Sequence, residues 1–335
     1  MSPSAEAVER TPVAVIGASL AGLAVAARLA LAGHRVIIHE RASAPALTLP
    51  PVLDLPAAWR DTFRKSGRPL DLELDRAGLS WTPAPPTDHG ALALPHDRAG
   101  QYAAISAAAG PATAQAWQDF LDRTDDTWQR LRPLGLEQEF RARRPDRATR
   151  RAIGWRHSLA DHARELGHPL LGDLLGAVAA EQHTTADRLP GWYATRHALR
   201  RTFGRWTITD ATGTPDNAAL VRLLLARLDK RGVELRHGSE IPDPARLDPV
   251  ELGAAAVVDT TGGDRIAWRG RRTWQRLTPT TRSPGRYYAG PLTRAGTEPW
   301  AQLLSAALAA YAVHRDRTGE DIRPTRKDTP RRRLI

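Results

Sequence analysis

V-A-V-I-G-A-S-L-A-G-L-A-V-A-A-R-L-A-L-A-G-H-R-V-I-I-H-E-R, residues 13–41, is the stretch that decides the fold. Val13 to Ile16 is a short apolar run ending in glycine, which reads as a fully buried strand. Leu20 to Leu31 is rich in alanine and leucine with no breaker after Gly22, so it reads as a helix, closed by Gly33 in a left-handed cap. Arg35 to His39 is a second buried strand, followed by Glu40 and Arg41. The turn needs Gly17, because a side chain there would obstruct the bend, and Gly22 lets the helix pack closely on the sheet. The helix N-terminus at Gly17-Ala18-Ser19-Leu20-Ala21-Gly22 then offers unpaired N–H groups and a partial positive charge to a pyrophosphate. Glu40 stands 18 positions after Gly22, close to where an acid at the end of the second strand receives ribose hydroxyls. The order predicts a dinucleotide-binding βαβ turn. Ser19 replaces the middle glycine, where phosphate and backbone approach most closely, and its hydroxyl can donate. The competing reading is a Rossmann-like fold whose site is empty. A hydrolase elbow is excluded, because the closing glycine comes one residue too late.

Working outward, residues 1–10 are polar and expected to be loose, and Ser43 to Pro56 is proline-rich and extended. Ala57 to Ser66 reads as a short helix, and Trp81 to His96 as turns with one hairpin. Ala112 to Arg132 and Leu159 to Ala180 are long helical patterns, with a charged, exposed stretch at Glu137 to Arg151 between them. Asn217 to Lys230 is a strongly amphipathic helix. Val233 to Arg236, Ala254 to Asp259 (ending in Thr260-Thr261-Gly262-Gly263) and Arg286 to Ala289 read as strands. Pro299 to Arg315 reads as a last helix with proline at its first turn. Strands at both chain ends with helices between them predict an α/β protein: a discontinuous Rossmann-like domain (11–45, 200–265 and 284–317), an inserted, mainly helical substrate or cap region (46–199), and a basic tail (318–335).

The net charge of +11 invites a nucleic-acid reading. Its details argue against one: only three of the 48 basic residues are lysines, and the arginines are spread through every segment. The densest runs, Arg141 to Arg151 and Arg331-Arg332-Arg333, lack interleaved aromatics that could stack on bases, so no specific nucleic-acid partner is expected. Peripheral contact with an anionic membrane surface stays open. No apolar run approaches the ~18–20 residues that span a bilayer, and the N-terminus lacks a signal-peptide pattern; the expectation is a cytoplasmic protein. There is no cysteine, which excludes disulfides and thiolate metal sites. His157 and His162 are five apart, which places them on different faces of a helix, so no metal site is expected.

The chain resembles the phytoene-desaturase-like FAD-dependent oxidoreductases, relatives of the amine oxidases. The resemblance rests on residues 13–41 and on separate later blocks: L-T-L-P-P-V-L at 47–53, A-W-Q-D-F-L at 116–121, L-A-D-H-A-R at 159–164, F-G-R-W at 203–206, G-V-E-L-R-H-G at 232–238 and G-R-Y-Y-A-G-P at 285–291. It implies FAD as cofactor rather than NAD(P). Glu40 also argues against a 2′-phosphate, although Arg41 beside it blurs that point. By the same resemblance, Gly290 lets the chain pass the ribityl-phosphate arm, and the helix beginning near Trp300 aims its N-terminus at the flavin ring. The resemblance also implies that Glu240 and Ile241 lie against the adenine, and Gly262 is expected in the cofactor-binding set. The family's Gly-Gly segment after the acid is missing, because Ala42 to Pro45 run straight into L-T-L-P, and the spans 238–254 and 263–285 are short.

If the resemblance carries function, the activity is hydride transfer between FAD and a small apolar, polyene- or lipid-like substrate, as in desaturation or isomerisation. No carboxylate pair or His-centred triad stands out, and no catalytic residue is assigned. Trp192, Tyr193, Trp206, Tyr287 and Tyr288 are either the lining of an apolar slot or ordinary core aromatics. The alternative function is a non-catalytic relative that keeps the fold to bind a nucleotide, a lipid or a partner enzyme.

Overall fold

The computed structural model describes residues 11–43, 47–89, 92–242, 248–262 and 265–324. Residues 1–10, Pro45, Gly263 and the tail from 325 onward lie outside them. In chain order, β1 (Val13–Ile16), α1 (Leu20–Leu31) and β2 (Val36–His39) are followed by β3 (Leu53–Asp54), α2 (Pro56–Arg64), α3 (Leu70–Arg76) and β4 (Leu79–Pro83). The antiparallel pair β5 (Thr87–His89) and β6 (Leu92–Leu94) leads into α4 (Arg98–Ala109), α5 (Pro111–Leu131), α6 (Arg147–Ala152), α7 (Leu159–Leu166), α8 (Pro169–Glu181) and α9 (Thr195–Phe203). The chain closes with β7 (Arg205–Asp210), α10 (Ala218–Lys230), β8 (Glu234–Arg236), β9 (Ala256–Asp259), α11 (Arg271–Arg276), β10 (Thr281–Ser283), β11 (Arg286–Tyr288) and α12 (Pro299–Thr318).

The main sheet has the order β10-β11-β9-β1-β2-β8, with β10 antiparallel to β11 and every other pairing parallel. β1 is central, and Val13 pairs with both Val36 and Ala256. β1, β2 and β9 are buried at every position, which accounts for their unbroken apolar character rather than an alternating one. α1 lies on one face between α10 and α12. On the opposite face, Ala14, Ile16, Ala254 and Val257 form a small separate cluster under Ile241 and Leu252.

β7 differs from the sequence expectation for residues 200–265. Its alternating R-W-T-I-T-D pattern pairs antiparallel with β3 and β4 in a second sheet, outside the parallel one. The single helix expected over Leu159–Ala180 is two, because Gly167 takes a left-handed φ of +66° and Pro169 starts α8 afresh. The helical stretch shares the core of the sheet: Ile105, Trp117, Leu174 and Leu199 belong to the same buried cluster as Val13 and Val313. Among the described residues, no helix is long and apolar enough to cross a membrane.

Candidate functional site

The site grows from the bend between β1 and α1. Gly17 has φ +95°, a conformation that side chains rarely adopt. At Gly22 the requirement is space: a Cβ there would lie 2.1 Å from the Gly17 carbonyl oxygen and 2.8 Å from Thr260 Oγ1. The two glycines therefore do separate jobs, one bending the chain and the other letting the helix sit on the bend.

Ser19 has become the N-cap of α1. Its hydroxyl oxygen accepts from the Gly22 N–H (3.1 Å), while its O–H donates to Thr260 Oγ1 (3.0 Å). Thr260 in turn reaches the carbonyls of Ile16 (2.8 Å) and Gly17 (2.9 Å), tying the end of β9 to the turn. Thr260 was not singled out from the sequence. The signal was its place directly after the apolar run of β9, at the level of the glycine turn.

Glu40 leaves the end of β2 and curls back, accepting from the amides of Ala18 (2.6 Å) and Ala42 (2.8 Å). An amide of the glycine turn is thus occupied by the carboxylate expected to receive ribose hydroxyls. Beside it His39 shares a hydrogen bond with Ser239 Oγ (2.9 Å). Burial first, then the Arg236 cation, hold the His39 imidazole below its ordinary pKa, with Glu234 opposing them. With this ring tending to the uncharged form, attraction for an anion comes from the amides, the helix end and the Arg41 guanidinium on the same wall.

These groups line a cleft of about 630 Å³. Its walls are Ile16 to Ser19 after β1, His39 to Ala42 after β2, Ser239 to Pro242 after β8 and Thr260 to Gly262 after β9. The cleft therefore lies outside the carboxyl ends of four neighbouring parallel strands. The chain runs outward from β1 through β2 to β8, then returns to the other side of β1 at β9, which makes this the topological switch point where open α/β sheets bind ligands.

Of the residues singled out from the sequence, Gly17, Ala18, Ser19, Glu40, Arg41, Glu240, Ile241 and Gly262 line this cleft. Leu20, Ala21 and Gly22 are buried in the first turn of α1 behind it. Gly290 and Trp300 lie elsewhere. Gly290 (φ +93°) packs so closely on Ala21 that its Cβ would sit 3.3 Å from the Ala21 Cβ, and its N–H donates to Ser305 Oγ (2.8 Å). Trp300 is buried against Trp128 in an edge-to-face pair 5.9 Å apart, beneath the Arg196 guanidinium. Leu292 presses on Gly262, where a Cβ would meet its Cγ at 2.8 Å.

The aromatic candidates divide as well. Trp192 stacks on Trp155 at 5.1 Å and meets Trp274 edge-on, Tyr193 packs on Trp268, and the Tyr287 hydroxyl donates to Asp316 (2.8 Å). Tyr288 is buried, while Trp206 pairs with Trp81 at the second sheet. They do not face a common slot; most of them are core.

The expectation that His157 and His162 sit on different helical faces is corrected. His157 precedes the Ser158 cap of α7, outside the helix, and its ring comes within 5.6 Å of the His162 ring. Together with Glu165, whose Oε2 lies 3.1 Å from His162 Nδ1, their ligand atoms fall within 4.8 Å of one another. Helical spacing did not apply across that boundary.

No protein-family model matches the chain, and no curated protein sequence does. Among solved structures, it is similar to an oxidoreductase from Methanosarcina mazei, at 15% identity and a TM-score of 0.42, over 75% of this chain and 59% of that one. It is also similar to a RAB GDI from Plasmodium falciparum, at 9% identity and a TM-score of 0.38, over 75% of this chain and 65% of that one. The chain spans less than two thirds of either. The α/β fold stands on the strand order itself.

Proposed function

We propose that the chain binds the ADP moiety of a dinucleotide, FAD in the first place, in the switch-point cleft. The observation that carries this reading is the convergence of four parallel-strand ends on a helix N-terminus with Glu40 beside it. The residues fit the adenosine and pyrophosphate half. Phosphate oxygens would take the amides at the start of α1, Glu40 would exchange the Ala18 N–H for ribose hydroxyls, and Ile241 and Pro242 would offer an apolar edge to the base. Flavin-dependent hydride transfer with an apolar, polyene- or lipid-like substrate is the activity that the sequence resemblance attaches to such a site.

A specific observation favours the second reading, a non-catalytic nucleotide-binding relative. Gly290 and Trp300, the residues expected beside the flavin arm and ring, are packed into protein. The residues present do not make up the ring's half of a flavin site, and no redox step is derived through it. Titration of the purified protein with FAD and with ADP separates the readings. Flavin absorbance that co-purifies, or FAD bound at least about 10-fold more tightly than ADP, a gain of about 1.4 kcal/mol from the flavin half, supports the oxidoreductase. Equal affinities support the non-catalytic relative. Binding of neither ligand overturns the assignment of the cleft.

A further inference from the structure

A second cleft, of about 670 Å³, is lined by six arginines: Arg141 and Arg143 before α6, Arg272 and Arg276 one turn apart on α11, Arg282 on β10 and Arg294 after β11. The other lining residues are Gln275, Leu277, Thr278 and Pro279, so among the described residues no carboxylate lies on its walls. Like charges gathered around one volume repel one another. A surface under no demand for a ligand scatters them or interleaves acids, as this protein does between α4 and α5, where Arg98 is bidentate to Asp122.

Arg294 turns this from a charged patch into a built site. It is only 7% exposed, and its guanidinium lies over the rings of Trp274 (4.8 Å) and Phe140 (5.3 Å). Nη1 donates to the carbonyls of Phe140 (2.5 Å) and Ala142 (2.7 Å), which fixes the plane of the fork, while the buried Nε has no hydrogen-bond partner among the described residues. The other deeply buried arginines have acids: Arg196 has Glu298, Arg200 has Asp54 and Glu181, and Arg227 has Glu73. Among the described residues, Arg294 has backbone carbonyls and aromatic faces only. Burial pulls its pKa below the usual arginine value. A buried cation lacking a counter-charge is costly unless something supplies one. Of the acids that act on the lining Arg141, Glu139 is already engaged by Arg141 itself (3.0 Å) and the Thr281 amide (3.0 Å), and Asp316 by Arg315 and the Tyr287 hydroxyl.

We infer that this cleft binds a small soluble anion carrying at least two phosphate groups, held by the exposed forks of Arg272, Arg276 and Arg282 and reaching toward Arg294. Planar guanidinium forks match phosphate oxygens two at a time, and several converging forks suit a polyphosphate better than a lone carboxylate. A nucleic acid fits less well. Trp274 is buried beneath the guanidinium and offers bases no face to stack on. The inference does not depend on the reading of the switch-point cleft.

The test is calorimetric titration of the full chain with inorganic pyrophosphate at moderate salt. The wild type is compared with Arg272→Ala/Arg276→Ala and with Arg130→Ala, an exposed arginine on α5 away from the cleft. Saturable 1:1 binding is expected, weakened at least about 10-fold in the double variant and unchanged in Arg130→Ala. Because both substituted side chains are exposed, the ligand-free double variant should keep the wild-type Tm. Pyrophosphate should raise the Tm of the wild type and not that of the double variant. Equal binding by wild type and double variant places the pyrophosphate elsewhere and overturns the inference. So does sedimentation with phosphatidic-acid vesicles, or binding of a single-stranded oligonucleotide, without saturable pyrophosphate binding.

Discussion

Gly22→Ala adds one methyl group at the point where α1 crosses the turn. The new Cβ would lie 2.1 Å from the Gly17 carbonyl oxygen and 2.8 Å from Thr260 Oγ1, where real Cβ atoms essentially never come closer than 3.0 Å. Backbone cannot swing aside as a side chain can. Helix and strand must therefore separate by roughly 1 Å, in a core where overpacking typically costs about 1–3 kcal/mol and occasionally more. The movement also pulls on the Thr260 bonds to Ile16 and Gly17. A loss of about 3 kcal/mol is expected, or about 6 °C in Tm at roughly 2 °C per kcal/mol for a chain of this size. Gly176→Ala is the internal control. It lies inside α8 with nothing within 4 Å of its would-be Cβ, so alanine should stabilise by about 0.4–1 kcal/mol. Differential scanning fluorimetry backed by urea titration reads both. If Gly22→Ala melts within 1 °C of wild type, by the same ~2 °C per kcal/mol scale, the close approach of helix and turn is wrong. The assignment of the glycine turn falls with it.

Ser19→Ala removes both the N-cap and the link to Thr260, and should cost about 1 kcal/mol by urea titration, whereas Ser19→Gly should cost only a few tenths; an alanine variant as stable as wild type would show that the cap contributes nothing. Asp54 accepts from Arg200 (3.0 Å) and Arg205 (3.3 Å), all three side chains being nearly buried, so Asp54→Ala should destabilise by about 3 kcal/mol, and a loss under about 1 kcal/mol would contradict it. Burial, with Arg317 and His314 adding to it, lowers the pKa of His34 from 6.5 to about 4, and its Nε2 lies 3.0 Å from His314 Nδ1. Because the folded pKa is the lower one, stability is full above pH 6.5 and falls as pH drops toward about 4. Discounted for partial exposure, the loss is on the order of 1–2 kcal/mol, and His34→Gln should flatten the acid limb between those pH values; an unchanged limb would refute this assignment.

The N-terminal βαβ unit could be read from sequence because every signal in it is local. The strand is apolar on both faces, the breakers stand at the bend and at the helix end, and the acid follows at a fixed interval. What the sequence hid depended on distant partners. Thr260 acts on a turn more than two hundred residues earlier, and β7 shows a strand pattern without naming the sheet it joins. Gly290 and Trp300 have the residue types expected at a cofactor's far end, yet they are consumed by packing against Ala21 and Trp128, which no local pattern reports. The arginine cleft was visible only as a charged run at Arg141 to Arg151. Its other members come from α11, β10 and the segment after β11, which the fold brings alongside.

The central strand draws one neighbour from nearby and the other from far down the chain: Val13 pairs with Val36 and, 220 residues later, with Ala256. During synthesis at about 5–20 residues per second, the first unit leaves the ribosome on the order of 10–40 s before the strand that completes its other edge. For that interval β1 and α1 are apolar surfaces in search of a covering, and the nascent chain depends on holding factors or on fast temporary collapse. The switch-point cleft is also unfinished until Thr260 to Gly262 emerge, so nothing bound there can template the early steps. A chain interrupted anywhere before β9 should accumulate as aggregate rather than as a smaller folded protein, which makes the order of translation part of how this sheet is built.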